Sequence, residues 1–378
     1  MFVRLSQLVS ITVLTLAACP ALLAQTFVTS VPAWTYPQAI AVNPFTDRVY
    51  VISEPANSIG AIDGVTDIVS TVSLGTNQQE SLNGALAINP ITNKIYAVDG
   101  VNSHLSILDG ASLGVTQVPT GNTAYALAVN PYTNMIYVAD FGDATVTVVN
   151  GRTLATSIVN VGLNPLAVAV DWSQNKIYTA NSNSNSVTVI DGRTNATSTV
   201  AVGQYPASVA VNPSTHKIYV GNLLSNNVTV IDGPTNTTTT VNTGTFPFAF
   251  AINYQTNKIY VANAQSNTVT VIDGATNSTS TIAVGATPDA VAVDQVRNEI
   301  YVVNSNSETV SIINGITNAV STVNTLGNGS IDIAVNPLTN QFFVMNNAGS
   351  SVSVFNGSPK ATPVSLLDEL MGSVNAIR

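Results

Sequence analysis

An all-β fold follows from three observations. The element Ala-(Val/Ile)-(Asn/Asp) recurs with its polar residue at Asn43, Asn89, Asn130, Asp171, Asn212, Asn253, Asp294 and Asn336, at steps of 46, 41, 41, 41, 41, 41 and 42. Between these marks lie short runs of alternating Val, Ile and Thr, the composition of strands, separated by Gly, Asn, Asp and Pro. No stretch before residue 364 has a helical period. Eight copies of a unit near 41 residues predict a single β-propeller of eight four-stranded blades spanning residues 25–357.

Residues 1–24 read as a signal peptide: Arg4, an apolar run from Leu5 to Ala18, then small residues near a cut after Ala24. Leu16-Ala17-Ala18-Cys19 also fits a lipobox, which would leave a lipid on Cys19. The two products, a soluble protein beginning at Gln25 and a lipoprotein, both place the chain outside the cytoplasm: secreted, periplasmic or at the cell surface. Membrane contact is expected only through that anchor.

The fifth unit shows the parts of each blade. Pro206–Val211 alternates as strand A, Asn212-Pro213-Ser214-Thr215-His216 turns, and Lys217-Ile218-Tyr219-Val220 is strand B. After a polar loop, Asn227–Ile231 alternates as strand C; Asp232-Gly233-Pro234-Thr235-Asn236 turns again, and Thr237–Val241 is strand D. Two residues before each mark stands Ala in all eight units, while Val, Ile, Leu or Phe fill the flanking positions. A small face therefore meets a large one at each blade junction. The last unit supplies strands A, B and C, and two segments compete for its strand D: 26–31, and 361–367 in the tail 358–378. Residues 26–31 are expected to close the ring, because an overlap of the two ends covers an exposed edge.

Tyr219-Val220-Gly221-Asn222, Tyr260-Val261-Ala262-Asn263 and Tyr178-Thr179-Ala180-Asn181, each followed by a Val-Thr-Val-Ile-Asp strand, resemble the YVTN family of β-propeller repeats over residues 37–357. The resemblance implies an exported bacterial protein or a surface-layer component. Units 1 and 8 depart from the motif, with Ser53 and Phe343 at its positions.

Composition narrows the function. Charged residues are 8% of the chain, with 11 Lys+Arg against 20 Asp+Glu, and the net charge of −9 argues against a nucleic-acid partner. One Cys and two His leave little for a metal or thiol centre, and no cofactor is expected. His104 and His216 fall in loops that open on opposite faces, so they cannot share a site. Asp63, Asp109, Asp191, Asp232 and Asp273, each before Gly, lack the alternating carboxylates of a calcium loop and read as turn formers. The strand B tyrosines read as core with bonded hydroxyls.

The A–B and C–D turns share one face, here called the bottom, and the B–C and D–A loops share the top. Arg48, Lys94, Lys176, Lys217 and Lys258 recur at one bottom position, with Arg152, Arg193 and Arg297 beside them, and acids nearly balance them. That face is expected to be solvated and locally paired. The top has Glu54, Glu80, Asp99, Asp140, Asp143, Asp289, Glu308 and Asp332, with no Lys or Arg.

Five residues before each mark, at the channel mouth, the units vary without a packing reason: Gln38, Gly84, Tyr125, Leu166, Ala207, Phe248, Asp289 and Ile331. Trp34, Tyr36, Phe141, Tyr205 and Phe246 lie in neighbouring top loops. The candidate binding residues are therefore Trp34, Tyr36, Gln38, Glu54, Tyr125 and Phe141, together with Tyr205, Phe246, Phe248, Asp289 and Asp332. Aromatics among carboxylates suit a cationic peptide, a protein or a glycan. The expected function is a non-catalytic binding or cell-surface scaffold module. The alternative is a lactonase-like propeller hydrolase, against which stands the lack of a Glu–His–Arg cluster at loop positions.

Overall fold

A computed structural model of the chain describes residues 25–33, 35–53, 57–74, 85–99 and 102–357. The signal-peptide and tail assignments, 1–24 and 358–378, lie outside the described residues, as do Trp34, Glu54, Glu80 and Gly84. Residues Thr26–Gly357 form one compact unit.

Its strands make eight four-stranded antiparallel sheets, the blades of the propeller. Blade 5 shows the pattern: strand A is Pro206–Asn212, B is Lys217–Asn222, C is Asn227–Asp232 and D is Thr238–Asn242. Contacts between successive A strands all round the ring make A the innermost strand. Blade 8 is composite. Its strands Ser330–Asn336, Gln341–Asn346 and Ser351–Asn356 are completed by Thr26–Pro32, which pairs antiparallel with Ser351–Asn356. This outer strand runs from the bottom, where Thr26 faces Asn356, to the top, where Pro32 faces Ser351.

The core is not one body but a ring of similar clusters, each between two blades. In the cluster between blades 3 and 4, Tyr137, Ala139, Val146 and Val148 of blade 3 meet Val168, Ile177 and Ile190 of blade 4. The small strand A side chains Ala126 and Ala128 lie on the blade 3 side, and Val168 and Val170 on the other. A wedge closes when methyl meets branched side chain, which is why Ala recurs at fixed positions.

The bottom is stitched by backbone and amide bonds between blades. In every blade the Gly opening the C–D turn donates its N–H to the last residue of the A–B turn, as Gly233 does to the His216 carbonyl at 2.9 Å. Between blades, the buried turn residue reaches the last A–B turn residue of the next blade: Asn43 Nδ2 to Asn93 Oδ1 at 2.8 Å, Asn130 to Asn175 at 2.8 Å, and Asn212 to Asn257 at 2.9 Å. The seam obeys the same rule, with Asn336 Nδ2 donating to Asp47 Oδ1 at 2.5 Å. Blade 4 has Asp171 in place of Asn and cannot donate. Its partner position in blade 5 is His216, whose Nδ1 stands 2.9 Å from Asp171 Oδ2. In blade 7 Asp294 pairs with Arg297 Nη1 at 2.9 Å, and the same nitrogen donates to the Pro337 carbonyl of blade 8.

Local acid–base pairing on this face holds for Lys94, 2.7 Å from Asp109, and for Arg297. Four other cations bridge blades differently. Lys176, Lys217, Lys258 and Arg48 donate to the carbonyls of Gly233, Gly274, Gly315 and Gly110 in the following blade. A cation long enough to reach the next turn finds a fixed carbonyl there, while the turn aspartates accept from their own turns, as Asp191 Oδ1 does from the N–H groups of Arg193 and Thr194.

The strand B tyrosines are core, as expected, but their hydroxyls differ. Tyr96 reaches Asn134 Oδ1 at 3.3 Å and Tyr301 reaches Glu299 Oε2 at 2.7 Å. The hydroxyls of Tyr50, Tyr137, Tyr178, Tyr219 and Tyr260 have no partner among the described residues. Desolvation by burial pushes Tyr137 and Tyr260 up to about 12.

Candidate functional site

The top face is built from the asparagine that ends strand B. Asn222 Nδ2 donates to Asn227 Oδ1 and Thr229 Oγ1, five and seven residues on, and Asn263 does the same to Thr268 and Thr270. These groups are buried, so the side chain fixes the mouth of the B–C loop from inside. A glycine of the D–A loop lies against each such Asn; a Cβ on Gly203 would stand 2.7 Å from Asn222 Cγ.

The two top loops of a blade then hold each other. In blade 5, Leu223 N–H donates to the Tyr205 carbonyl at 3.1 Å, and Gln204 N–H donates to Ser225 Oγ at 2.6 Å. The preceding blade completes the lock, as Asn185 Oδ1 accepts from Tyr205 N–H at 2.9 Å and Asn226 Oδ1 from Phe246 N–H at 3.0 Å. Tyr36, Tyr205 and Phe246 all occupy the residue before strand A with positive φ, 50°, 54° and 62°. Bulky side chains rarely adopt this conformation, so the surrounding bonds hold each aromatic in a set direction.

The next residue but one is more telling. Each fully described strand A carries a β-bulge at its second residue: register passes from Pro206↔Asn222 to Ser208↔Gly221, leaving Ala207 unmatched. Gln38, Tyr125, Leu166, Phe248, Asp289 and Ile331 are the same unmatched residue in their blades. A bulge re-aims a side chain and frees it from the alternation of the strand. This is the position whose variety in the sequence has no packing reason.

The structure brings some candidate residues together. Tyr125 packs on Phe141 with ring centroids 5.9 Å apart, both from blade 3. Phe246 and Phe248 of blade 6 stack at 6.3 Å and 15°. Tyr125 and Phe248 remain 43% exposed at the top of the innermost strands. Asp289, on the blade 7 bulge, is half-buried, and burial raises its pKa, with the Ser305 hydroxyl opposing. Asp332 has a different task. Its carboxylate accepts from Ile333 N–H at 2.8 Å and, across the seam, from Ile40 N–H of blade 1 at 3.2 Å. It clasps blade 8 to blade 1. Tyr36 is exposed and Gln38 partly buried.

Electrostatics on this face differ from a uniform acidic patch. Asp140 stands where blades 4 to 8 have the strand B asparagine and is fully buried, accepting from Thr145 Oγ1, Thr147 Oγ1 and Gly121 N–H. Burial pushes it up to about 6 against those bonds, and burial does the same to Asp332. Asp143 and Glu308 are exposed. All eight Lys and Arg among the described residues lie on the bottom, so the top keeps its negative sign.

A pH dependence follows. An acid whose pKa is higher folded than unfolded stabilises the fold when protonated; that contribution is present below about pH 4 and lost as pH rises through about 6. Asp140→Asn supplies the amide that blades 4 to 8 use. It is expected to flatten this slope and to raise stability at neutral pH by about 2 kcal/mol, measured by urea melts from pH 4 to 7. A variant less stable than the parent at pH 7, with the slope intact, would contradict the reading.

Among the described residues no three His, Cys, Asp or Glu side chains converge as metal ligands. An open groove of about 520 Å³ between blades 3 and 4 is lined by Asn160, Ser184, Asn185, Thr188, Thr197 and Thr199 among others, with no charged or aromatic side chain. The sequence reading missed the bottom, where Phe45, Tyr132, Trp172 and Tyr254 are exposed at the tips of A–B turns. Their signal was present as the apolar residue that follows the turn Asn or its Pro.

The sequence matches no known family profile and no curated protein. Among solved structures, the chain is similar to hydrazine synthase of Kuenenia stuttgartiensis, with TM-score 0.60 and 17% identity over 75% of this chain and 98% of that one. At that identity the likeness speaks for architecture alone, and the chain is an eight-bladed β-propeller.

Proposed function

We propose that this propeller is an exported, non-catalytic binding module whose ligand docks on the top face at the channel mouth. The observation that carries the reading is the exposure of Tyr125 and Phe248 at bulge positions, each backed by a second ring from its own blade. Such rings offer flat apolar faces to a sugar or to a cationic side chain, and Asp289 supplies an acceptor on the same rim. The scaffold beneath is rigid: every loop bond described above ties one blade to itself or its neighbour, so the rings are held before a ligand arrives. The resemblance to YVTN repeats fits this role, since the strand B asparagine of that motif is the group that fixes the top loops. Its implication of an exported protein agrees with the leader-like residues 1–24.

The test is a glycan array and a set of Lys- and Arg-rich peptides on the parent and on Tyr125→Ala/Phe248→Ala/Asp289→Ala. Binding is expected to weaken by roughly tenfold or more in the variant, as loss of two aromatic contacts implies. Peptide binding should also weaken with added salt. A variant that binds the same probe as tightly as the parent would move the site elsewhere.

A further inference from the structure

The bottom face carries an apolar crown. At the second residue after the turn mark stand Phe45, Ile91, Tyr132, Val296 and Leu338, exposed by 47–70%. Two blades place the large residue one position earlier, as Trp172 and Tyr254, also exposed. Seven of the eight A–B turns thus end in a large apolar tip around the channel mouth. Nothing in the fold requires this, because blade 5 turns equally well with Ser214 at the tip. The turns themselves are stiff, each anchored by its buried Asn or Asp and, in four of the seven, by Pro44, Pro90, Pro131 or Pro337.

Three further facts belong to the same face. Its Lys and Arg stand among the turn aspartates and are mostly bonded within the fold, which leaves Arg152 and Arg193 exposed. Tyr132 and Trp172 touch at 5.1 Å, giving a combined aromatic edge with polar handles. The chain also leaves here at both ends, since Thr26 pairs with Asn356 and Gly357 follows. The sequence ahead of Thr26 contains the apolar run 5–18 and Cys19. A lipid carried by Cys19 would join the chain seven residues ahead of Thr26 in the sequence.

We infer that the bottom crown is a membrane-docking face that seats the propeller on a lipid surface, with the acidic top turned outward. Trp and Tyr suit the headgroup layer, Phe, Ile and Leu the acyl boundary beneath it, and the exposed Arg152 and Arg193 the lipid phosphates. Separate tips on rigid turns enter a deformable lipid layer without needing matching holes. A second copy of the chain would have to supply such holes and also make room for four chain ends. Seven large apolar tips gathered on one face, rather than scattered singly over the surface, mark an interaction site.

The experiment uses the full chain, exported and processed, with Cys19→Ser so that no acyl group contributes. It is floated with vesicles of phosphatidylethanolamine and phosphatidylglycerol, beside Phe45→Ser/Tyr132→Ser/Leu338→Ser and a top-face control, Tyr125→Ser/Phe248→Ser. The parent and the control are expected to float, and the crown variant to lose binding by roughly tenfold or more. In a Trp34→Phe background, brominated phosphatidylcholine should quench Trp172. A parent that stays with the free protein, a crown variant that floats equally, or unquenched Trp172 would overturn the inference. So would a parent that is dimeric by light scattering without vesicles while the crown variant is monomeric, since the crown would then be a subunit interface. Circular dichroism melts of the variants report that the turns still fold.

Discussion

Removing residues 26–32 is expected to lower the melting temperature by roughly 10 °C or more. These residues are the fourth strand of a blade whose other three lie about 300 residues later in the chain. Val31 is 3% exposed and sits in the cluster that joins blade 8 to blade 1, with Phe343, Met345, Val352 and Val354 on one side and Val49 and Val51 on the other. Phe27 packs edge-on against Phe355 at 5.6 Å, and Ala33 N–H extends the pairing to the Ser350 carbonyl. Deletion therefore exposes the apolar side of strand C, strips its ladder and opens the ring at its one chain break. Burial of Val31 alone contributes about 2 kcal/mol, and the ladder bonds add about 1 kcal/mol each. Val31→Asp, which leaves the strand but buries a charge, is expected to cost about 3 kcal/mol. Thermal melts check both. Removal of 358–378 should leave the transition nearly unchanged; if that deletion lowers it and the first does not, strand closure comes from the other end.

Gly233→Ala is expected to destabilise the fold by about 3 kcal/mol. Gly233 joins three elements: its N–H donates to His216 in its own blade, its carbonyl accepts Lys176 from the preceding blade, and the Tyr178 hydroxyl lies over it. A Cβ there would stand 2.5 Å from the His216 carbonyl oxygen and 3.2 Å from Ile218 Cδ1. The oxygen is backbone in a turn fixed by the Asp171–His216 contact, so it cannot yield without breaking the belt between blades 4 and 5. Gly114 is the control. A Cβ there meets only Ser112 Oγ, at 3.4 Å, so Gly114→Ala should change stability by no more than about 0.5 kcal/mol. Chemical denaturation of the two variants side by side separates a steric effect at one joint from a general cost of losing glycine. Equal effects would mean that the C–D turns have room the structure does not show.

Much of the architecture was legible because it is local. Strand identity rests on alternation within five or six residues, and the turns on Asn, Asp, Gly and Pro at fixed offsets, which the 41-residue period repeats often enough to read. The Ala positions of strand A already implied small-on-large blade junctions. Even the Asp171–His216 contact left a trace, since the unit that loses the donating Asn is followed by the unit that gains a histidine at the partner position. The variable residue near the start of strand A pointed to the channel mouth, and the bulge that frees it gives the reason.

What the tertiary structure alone decided are the partnerships between blades and the use of each face. The cations expected to pair with nearby acids donate to glycine carbonyls 57 residues on, while the aspartates opposite them accept from their own turns. Five strand B tyrosine hydroxyls expected to be bonded have no partner among the described residues. Asp332, read as a ligand residue, holds the seam through a backbone N–H 292 residues away. The apolar crown appeared only when seven separate turns were brought to one mouth. Periodicity in sequence fixes how each blade folds, since those interactions fall within one repeat. Which atoms meet across a junction depends on the angle and rise from blade to blade, and that geometry exists only once the ring is closed.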